Sequence, residues 1–408
     1  MEKTTKSNPK NNIRQKKYVA FFTTTLMLMT MSSSVGNAII GILLPEIANA
    51  YALSGTQQGL LSAFYSAGAL MALFSSLFLQ QLWTKPKILC LGVGLLGLAT
   101  CLQIIPLPFA LFLCIGLLMG VGYGFMDTFL SSFNCDLNRE KQKQFTGLLH
   151  GFFSVGGLLA PLLLRGLLGM MPWRNVYVVT GLFIFVVGVL FFCTSVYMRD
   201  KVDAGAHVEE KLTCARLKSF FQKRGNLLWI ICGCFNAAGQ NGVMVWVVRY
   251  VKDGLGDAQT AALCLSVFWM TTTVARFIMP RLPIRSGVVY TSGAILSAVS
   301  WGIGILWARP MGMLIASAFT GLFCGAYMPL LISEGVSRNP EGTGLPTTVI
   351  MIGMNLARLL MPICVGALIS AFDLQSAMLL TSAVFVMAFL LGLLLMHSDN
   401  KGLSTKTA

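Results

Sequence analysis

The chain has 408 residues, of which 55% are hydrophobic and only 11% are charged. A soluble globular domain of average composition carries about 25% charged residues. A chain of this length with so few charged residues cannot form a mainly polar surface. The composition therefore argues against a soluble enzyme. It also excludes a disordered chain and a small disulfide-rich secreted fold. The composition therefore predicts an all-α membrane protein whose hydrophobic surface faces the lipid bilayer.

The formal net charge of +15 does not indicate a nucleic-acid partner. The Lys and Arg residues lie in the gaps between hydrophobic stretches and form no basic stripe interleaved with aromatic residues. The 11 cysteines lie mostly inside hydrophobic stretches. We therefore expect buried thiols, with neither disulfides nor a metal cluster, and no cofactor.

Hydrophobic stretches of about 20 residues, the length that crosses a bilayer, recur along the whole chain. The first is too long for the hydrophobic part of a cleaved signal peptide and is followed by further spans. The sequence predicts twelve transmembrane helices, in chain order 18–44, 57–80, 88–105, 109–133, 146–169, 176–197, 227–248, 258–280, 287–306, 311–333, 346–371 and 376–397.

The distribution of positive charge predicts the orientation of these spans. If the N-terminus is cytoplasmic, 23 of the 30 Lys and Arg residues fall in cytoplasmic segments and four fall in external loops. Cytoplasmic loops of membrane proteins are enriched in Lys and Arg. We therefore predict a multi-pass protein of the plasma (inner) membrane with both termini in the cytoplasm.

An internal repeat relates the two halves of the chain. Gly120 of span four and Pro161 of span five recur 201 residues later as Gly321 of span ten and Pro362 of span eleven. A constant offset across two helix pairs indicates a duplicated unit of six spans. Duplication is typical of transporters whose two halves enclose the substrate site.

The repeat and the charged segment between spans six and seven predict the domain organisation. We expect two six-helix bundles related by pseudo-twofold symmetry. The predicted segments are a basic cytoplasmic tail at 1–17, an N-terminal bundle at 18–197, a cytoplasmic central loop at 198–226, a C-terminal bundle at 227–397 and a cytoplasmic tail at 398–408.

Twelve spans, a six-plus-six repeat and a long basic central loop resemble the major facilitator superfamily, and this resemblance implies the fold of that family. The family motif between spans two and three reads G-x-x-x-D-R-x-G-R-R. The matching stretch Ser76–Lys85 lacks the acid, the arginine and the second glycine. The counterpart in the second half, Arg281–Gly287, keeps an arginine and the glycine. The resemblance therefore rests on the architecture more than on this motif.

Three stretches are similar to the fucose permease and sugar–cation symporter branch of that superfamily. They are the glycine-rich segment Gly120–Thr128 with its acid Asp127, the segment Leu149–Phe153, and the pair of Gly239 and Gln240 with Trp246 and Tyr250 downstream. In fucose permeases the carboxylate that matches Asp127 is implicated in proton coupling. In the third stretch, Gln240 stands where that branch usually has an acid. A glutamine cannot carry a proton as an acid does, but it can form hydrogen bonds with a substrate.

Four ionisable residues inside the spans are candidates for coupling. A charge at the bilayer centre costs about 2.5–3.5 kcal/mol, so Asp127 is expected to face a cavity or a partner. It either carries a proton or forms a structural salt bridge. Arg358 and Arg276 are its candidate partners, and Arg276 has the alternative of reaching the cytoplasmic surface. His150 is a proton relay or a packing residue.

Amides and aromatic residues within the spans suit a neutral polyhydroxy solute, because amides both donate and accept hydrogen bonds and aromatic rings stack on sugar rings. The alternative is hydrogen bonding between helices, worth about 0.6 kcal/mol each. The predicted substrate-binding residues are Asn37, Tyr65, Tyr123, Asn236, Gln240, Asn241, Trp246, Trp269, Tyr327 and Asn355.

The leading hypothesis is a secondary transporter that imports a sugar or similar small polar solute by alternating access, coupled to a proton in preference to sodium. One alternative is a drug or metabolite efflux antiporter, whose span-five motif is half matched by Gly147, Gly156 and Pro161. Another is a membrane sensor that does not transport. A membrane enzyme is disfavoured because phosphate-binding loops, paired metal ligands and a G-x-S-x-G elbow are absent from the sequence.

Overall fold

The computed structural model describes residues 9–53, 55–198 and 213–404, and within these ranges the chain is helical with no β-strand. Twelve helical spans of this part are long and apolar enough to cross a membrane, which confirms the predicted all-α membrane protein. The spans are Lys17–Ile42, Gly59–Leu79, Lys85–Leu102, Phe109–Leu137, Arg139–Leu168, Trp173–Tyr197, Asn226–Gly254, Ala258–Arg281, Ser286–Trp307, Pro310–Arg338, Gly344–Ile369 and Leu374–Ser398.

The α-helices of the described residues are numbered here in chain order. They are α1 (Pro9–Ile42), α2 (Leu44–Tyr51), α3 (Gly55–Leu79), α4 (Lys85–Leu102), α5 (Phe109–Leu137), α6 (Gln142–Leu168), α7 (Trp173–Met198), α8 (Cys214–Gln222), α9 (Asn226–Arg249), α10 (Ala258–Ile278), α11 (Ser286–Trp307), α12 (Pro310–Cys324), α13 (Tyr327–Arg338), α14 (Gly344–Ala371) and α15 (Leu374–Ser404).

Several helices continue past the predicted ends of the spans into polar residues. The fifth span begins at Arg139 rather than at residue 146, and the tenth ends at Arg338 rather than at 333. The helix α1 begins at Pro9, inside the predicted tail 1–17. Hydropathy measures only the apolar length that lies in hydrocarbon, whereas helical hydrogen bonding continues through the polar residues beyond it.

The predicted central loop 198–226 contains the short helix α8. The hydroxyl of Thr213 caps this helix by accepting a hydrogen bond from the backbone N–H of Arg216 at 3.1 Å. The side-chain amide of Asn226 donates to the carbonyl of Phe220 at 2.9 Å and ties α8 to the start of α9. The remainder of the predicted loop, at 199–212, lies outside the described residues.

The contacts divide the chain into two compact units. Unit 1 comprises Met1–Gln142 and Leu159–Glu210, and unit 2 comprises Lys143–Leu158 and Lys211–Ala408. The N-terminal half of α6 thus belongs with unit 2, although the sequence predicts it within the first bundle. The predicted bundle boundaries stay a prediction.

The helices of the two units pack in corresponding pairs. In unit 1, span four (α5) packs on spans two and three, and span six (α7) packs on spans three and one. In unit 2, span ten (α12) packs on spans eight and nine, and span twelve (α15) packs on spans nine and seven. The same order of contacts therefore recurs six spans later, as expected of a duplicated scaffold.

The repeated glycines explain why this packing is close. A Cβ atom at Gly120 would overlap the carbonyl oxygen of Tyr65 on α3, and one at Gly321 would overlap the carbonyl oxygen of Phe268 on α10. Each span therefore meets its neighbour backbone to backbone, which only a residue without a side chain allows.

Span ten is interrupted between α12, which ends at Cys324, and α13, which begins at Tyr327. Pro329 lacks a backbone N–H, so the carbonyl of Gly325, four residues earlier, has no donor within the helix. The sequence predicts one span at 311–333, and the structure divides this span into two helices.

Candidate functional site

Three of the predicted site residues lie together in unit 1. Tyr123 and Asp127 are one turn apart on α5, and the ring of Tyr123 lies 5.7 Å from that of Tyr65 on α3. Asp127 lies near Tyr65, whose hydroxyl is buried with no hydrogen-bond partner among the described residues. The carboxylate itself is partly exposed, although most of its neighbours on the helix are buried. This group combines an acid and two phenols within the spans.

Asn37 on α1 is one of the predicted substrate-binding residues. It lies deep within a hydrophobic stretch, and its side chain is exposed. The position of a residue along a span gives its depth, and packing decides which face of the helix is covered. The role of Asn37 in substrate binding stays a prediction.

Arg276 is buried in unit 2, at 3% exposure, so the alternative that it reaches the surface was wrong. Its Nε donates to the carbonyl of Gly325 at 3.1 Å, which is the carbonyl left without a donor by Pro329. Its Nη1 donates to the hydroxyl of Ser154 at 2.6 Å, and its guanidinium lies 6.0 Å from the ring of Trp269. The arginine thus joins α10, α6 and the interruption of span ten.

His150 lies on the part of α6 that belongs to unit 2, and it is buried at 4% exposure. Its backbone carbonyl accepts a hydrogen bond from Nη1 of Arg276 at 3.3 Å and another from the hydroxyl of Ser154 at 3.1 Å. The structure therefore places His150 beside Arg276, as two of the predicted coupling residues. The choice between a proton relay and a packing role stays a prediction.

Arg358 on α14 contacts the two residues that follow the interruption of span ten. Its Nη2 donates to the hydroxyl of Tyr327 at 2.9 Å and lies 3.5 Å from Sδ of Met328. Asn355, one turn earlier on α14, donates to the carbonyl of Met351 within its own helix at 2.9 Å. The predicted pairing of Arg358 with Asp127 stays a proposal.

The amides of α9 keep unused hydrogen-bonding capacity. Asn236 donates to the carbonyl of Cys232 at 3.0 Å, and Nε2 of Gln240 lies 3.9 Å from Sγ of Cys324. Three buried atoms on the predicted substrate-binding residues of this helix have no partner among the described residues, and buried polar groups normally have one. They are Oδ1 of Asn236, Oδ1 of Asn241 and Nε1 of Trp246.

A buried ion pair in unit 1 was missed by the sequence analysis. Nζ of Lys85, at the start of α4, lies 2.6 Å from Oδ2 of Asp136, near the end of α5, and the two side chains are 5% and 7% exposed. The signal was present, because opposite charges stood at the adjoining ends of consecutive spans. The pair satisfies two charges whose burial alone would be unfavourable.

Glu334 on α13 is a second residue that the sequence analysis missed. Its Oε1 accepts hydrogen bonds from Arg338 at 2.6 Å and from the hydroxyl of Tyr290 at 3.4 Å, whereas its Oε2 is buried without a partner among the described residues. The spacing of four between Glu334 and Arg338 was visible in the sequence. Glu334 also lines a cavity of about 370 Å³ with Ser286 and Ser337.

The described residues contain no group of three or more His, Cys, Asp or Glu side chains able to hold a metal ion. All 11 cysteines are free thiols. The predicted site residues place one acid beside two tyrosines in unit 1, and two arginines with several amides in unit 2.

Polar and ionisable side chains of this kind, carried by apolar spans that pack as a duplicated six-helix pattern, define a polytopic membrane transporter. The model of the Major Facilitator Superfamily matches residues 26–333, which is most of the chain. The chain belongs to this superfamily. It is accordingly a transporter and not an enzyme, which confirms the resemblance seen in the sequence.

Two curated relatives cover nearly the whole chain at low identity. Protein TsgA of Escherichia coli O17:K52:H18 is 25% identical over 381 residues, which cover 90% of this chain and 93% of that protein. A TsgA homolog of Buchnera aphidicola subsp. Schizaphis graminum is 20% identical over 374 residues, 89% of this chain and 92% of that protein. The chain therefore spans the length of these relatives.

Solved structures share the fold. The E. coli fucose:proton symporter FucP has a TM-score of 0.73 at 16% identity, covering 93% of this chain and 99% of that one. The proton:xylose symporter XylE has a TM-score of 0.69 at 13% identity, covering 92% and 95%. The human organic anion transporter MFSD10 has a TM-score of 0.67 at 16% identity, covering 93% and 99%. At these identities the likeness shows the fold alone.

Proposed function

We propose that this protein is a secondary active transporter that imports a sugar or similar small polar solute by alternating access, driven by a proton in preference to sodium. The solute and the coupling cation are its expected partners, together with the lipid bilayer. The proposed location is the plasma (inner) membrane, with both termini in the cytoplasm, as the distribution of Lys and Arg indicates.

The observation that carries the proposal is the set of buried polar atoms that lack partners inside apolar spans. Tyr65 in unit 1 and Asn236, Asn241 and Trp246 in unit 2 each present one such atom among the described residues. An unpartnered buried polar group costs about 1–3 kcal/mol. Its retention is explained if a hydroxyl-rich solute or its hydration water makes the missing bond during transport.

Asp127 is the residue proposed to carry the proton. It is a partly exposed carboxylate within a span, beside two phenols that can stabilise either of its protonation states by hydrogen bonding. The predicted substrate-binding residues supply the polar contacts, and the sugar:proton symporters FucP and XylE share the fold. Sugar as the substrate class is inferred from the amide and aromatic character of these residues.

The test is uptake by proteoliposomes reconstituted with the purified protein and supplied with a panel of radiolabelled sugars under an imposed inward proton gradient. The wild-type protein should accumulate at least one of them above equilibrium. Asp127→Asn, which keeps the size and removes the ionisable group, should lose accumulation by more than about tenfold while still exchanging labelled for unlabelled solute, because exchange does not require net proton movement.

Asp373→Asn is the matched control, since Asp373 is an exposed acid outside the spans that caps the start of α15 through Ser376. It should transport like the wild type. Accumulation that ignores the proton gradient, or survives in Asp127→Asn, would remove the coupling role of Asp127.

Export of an organic anion or drug is the second candidate. Arg276 and Arg358 place two cations within the spans of unit 2, a charge suited to an anionic solute, and the organic anion transporter MFSD10 shares the fold. Inside-out vesicles distinguish the two functions. Export predicts accumulation of an organic anion in these vesicles with no sugar transported, whereas the sugar proposal predicts the reverse.

A further inference from the structure

The interruption of span ten leaves one backbone group that the helix cannot satisfy. Gly325 lies four residues before Pro329, and a regular helix would bond its carbonyl to the N–H that proline lacks. The amide of Gly325 itself still donates to the carbonyl of Gly321 at 3.0 Å, so the helix is intact up to this point. Pro329 therefore creates the need for another donor at the Gly325 carbonyl.

Arg276 supplies that donor from the neighbouring helix. Its Nε bonds the Gly325 carbonyl, while its Nη1 bonds Ser154 and the carbonyl of His150 on α6. A guanidinium has a fixed fork of donors, so one side chain can reach two partners in defined directions. A lysine in its place would keep the charge but would lack this fixed arrangement of donors.

The α6 segment that Arg276 reaches is packed tightly against the end of α10. A Cβ atom at Gly147 would overlap the ring of Pro280, and one at Gly151 would lie within 2.7 Å of the ring of Phe277. Lys143, one turn before Gly147, donates to the carbonyls that follow α10, at residues 282 and 284. We name this contact of residues 143–154 with residues 276–284, all within unit 2, the α6–α10 seam.

The helix that follows the interruption begins with a predicted substrate-binding residue, Tyr327. Tyr327 and Met328 begin α13, two and three residues after Gly325, and both contact Arg358. The geometry of the interruption therefore decides where Tyr327 presents its hydroxyl.

From this geometry we infer that Arg276 is a positioning residue that locks the interruption of span ten and ties it to the α6–α10 seam. Its bond to Gly325 replaces the missing helical bond, and its bonds to α6 hold the seam closed. Opening of the seam removes the contacts with Ser154 and His150 and loosens the interruption, which shifts Tyr327. The lock serves the transport cycle proposed above, but its test needs no substrate.

Cys324 is a native reporter of the lock, because it is 1% exposed and ends α12 immediately before the interruption. The rate of its alkylation by N-ethylmaleimide is measured by mass spectrometry on the full-length protein in detergent. Arg276→Met should raise this rate about tenfold, the effect expected from losing a hydrogen bond to a charged donor. Cys232 on α9, which is equally buried, should keep its wild-type rate.

Rescue separates the lock from a general loss of stability. Pro329→Ala restores an N–H to the Gly325 carbonyl, so the double variant Arg276→Met/Pro329→Ala should return the Cys324 rate to within about twofold of the wild type. Ser154→Ala alone should raise the rate about threefold and should add nothing to Arg276→Met, because Ser154 acts through the arginine. Arg276→Lys should fall between the wild type and Arg276→Met.

An unchanged rate at Cys324 in Arg276→Met, an equal rise at Cys232, or failure of Pro329→Ala to rescue would each overturn the lock. A failure of sugar uptake by the wild-type protein would overturn the proposed function and would leave these alkylation rates unaffected. The two failures are therefore distinguishable.

Discussion

Spans four and ten occupy corresponding places in the repeat but differ in backbone continuity. The helix α5 runs unbroken from Phe109 to Leu137, whereas span ten divides into α12 and α13. Thr128 of α5 stands 201 residues before Pro329, and only the threonine has a backbone N–H to continue the helix. At this repeat position Pro329 removes a helical donor that Thr128 keeps, while the glycines that pack both spans are retained.

Spans four and ten also differ in the charged residues on or beside them. In unit 1, Asp127 precedes Thr128 on a regular helix and lies beside tyrosines. In unit 2, the residue at the same repeat position is Met328, which contacts Arg358 next to Pro329. Unit 1 therefore places an acid on a continuous helix, and unit 2 places arginines around an interruption.

A second difference lies at the adjoining ends of the spans. Lys85 and Asp136 form the buried ion pair of unit 1, and 201 residues later the chain carries Ser286 and Ser337. Both serines line the cavity of about 370 Å³ in unit 2. Two large charged side chains fill the space in one unit, and two small hydroxyls leave it open in the other.

The largest expected effect is the loss of the ion pair in unit 1. Lys85→Met leaves Asp136 buried without its cation, and removal of one partner of a buried pair costs about 3–5 kcal/mol of unfolding free energy. The double variant Lys85→Met/Asp136→Leu should recover most of this loss, since no charge then remains buried. Thermal unfolding of the purified protein in detergent measures both.

Lys223→Met is the matched control for that experiment. Lys223 pairs with Glu341 at 3.3 Å, but the two side chains are 39% and 52% exposed. Exposed pairs contribute about 0–1 kcal/mol, so the melting temperature should hardly move. If Lys223→Met destabilised the protein as much as Lys85→Met, burial would not explain the importance of the Lys85–Asp136 pair.

Exchanging the residues at the repeat position tests the difference between spans four and ten. Thr128→Pro should interrupt α5 and cost about 3 kcal/mol or more, because Ser75 stands at the repeat position of Arg276 and cannot supply a guanidinium donor to the carbonyl of Gly124. Pro329→Ala should change stability by less than about 1 kcal/mol, since Arg276 already serves Gly325. Thermal unfolding measures the stability of both variants. Similar losses of stability in Thr128→Pro and Pro329→Ala would show that spans four and ten do not differ in their tolerance of proline.

The packing glycines should behave alike in the two units. Gly120→Ala and Gly321→Ala each force a methyl group against a facing backbone carbonyl, and overpacking of this kind costs about 1–3 kcal/mol. Gly94→Ala is the control, because nothing lies within 4 Å of its Cβ position. That variant should be neutral or slightly stabilising in the same assay. Tolerance of alanine at only one of the repeated glycines would contradict their equivalence.

The smallest effect is expected from rebuilding the ion pair of unit 1 in the cavity of unit 2. Ser286→Lys/Ser337→Asp places the two charges at the repeat positions of Lys85 and Asp136. In this open cavity the pair should contribute a coupling energy of about 0.2–1 kcal/mol. A double-mutant cycle by thermal unfolding measures it, and a repulsive coupling would show that the two sites are not equivalent.

Part of the candidate site was predictable from the sequence because it depends on spacing along one helix or on a repeat. Tyr123 and Asp127 are one turn apart on α5. The repeat aligns Gly120 with Gly321, and each of these glycines lets its span pack closely on a neighbouring helix. The exposure of Asn37 was not predictable, because hydropathy does not indicate which face of α1 is covered. The Lys85–Asp136 pair was missed because its members lie on different helices.

The sequence by itself determined that the chain is an all-helical membrane protein of twelve spans with a duplicated pattern, since a spanning helix requires only length and hydrophobicity. Tertiary structure alone decided that Arg276 bonds the carbonyl of Gly325, that Asp136 is neutralised by Lys85, and that Ser286 and Ser337 border a cavity. These contacts join residues distant in sequence, and the packing of helices, with directional hydrogen bonds across them, selects the partners.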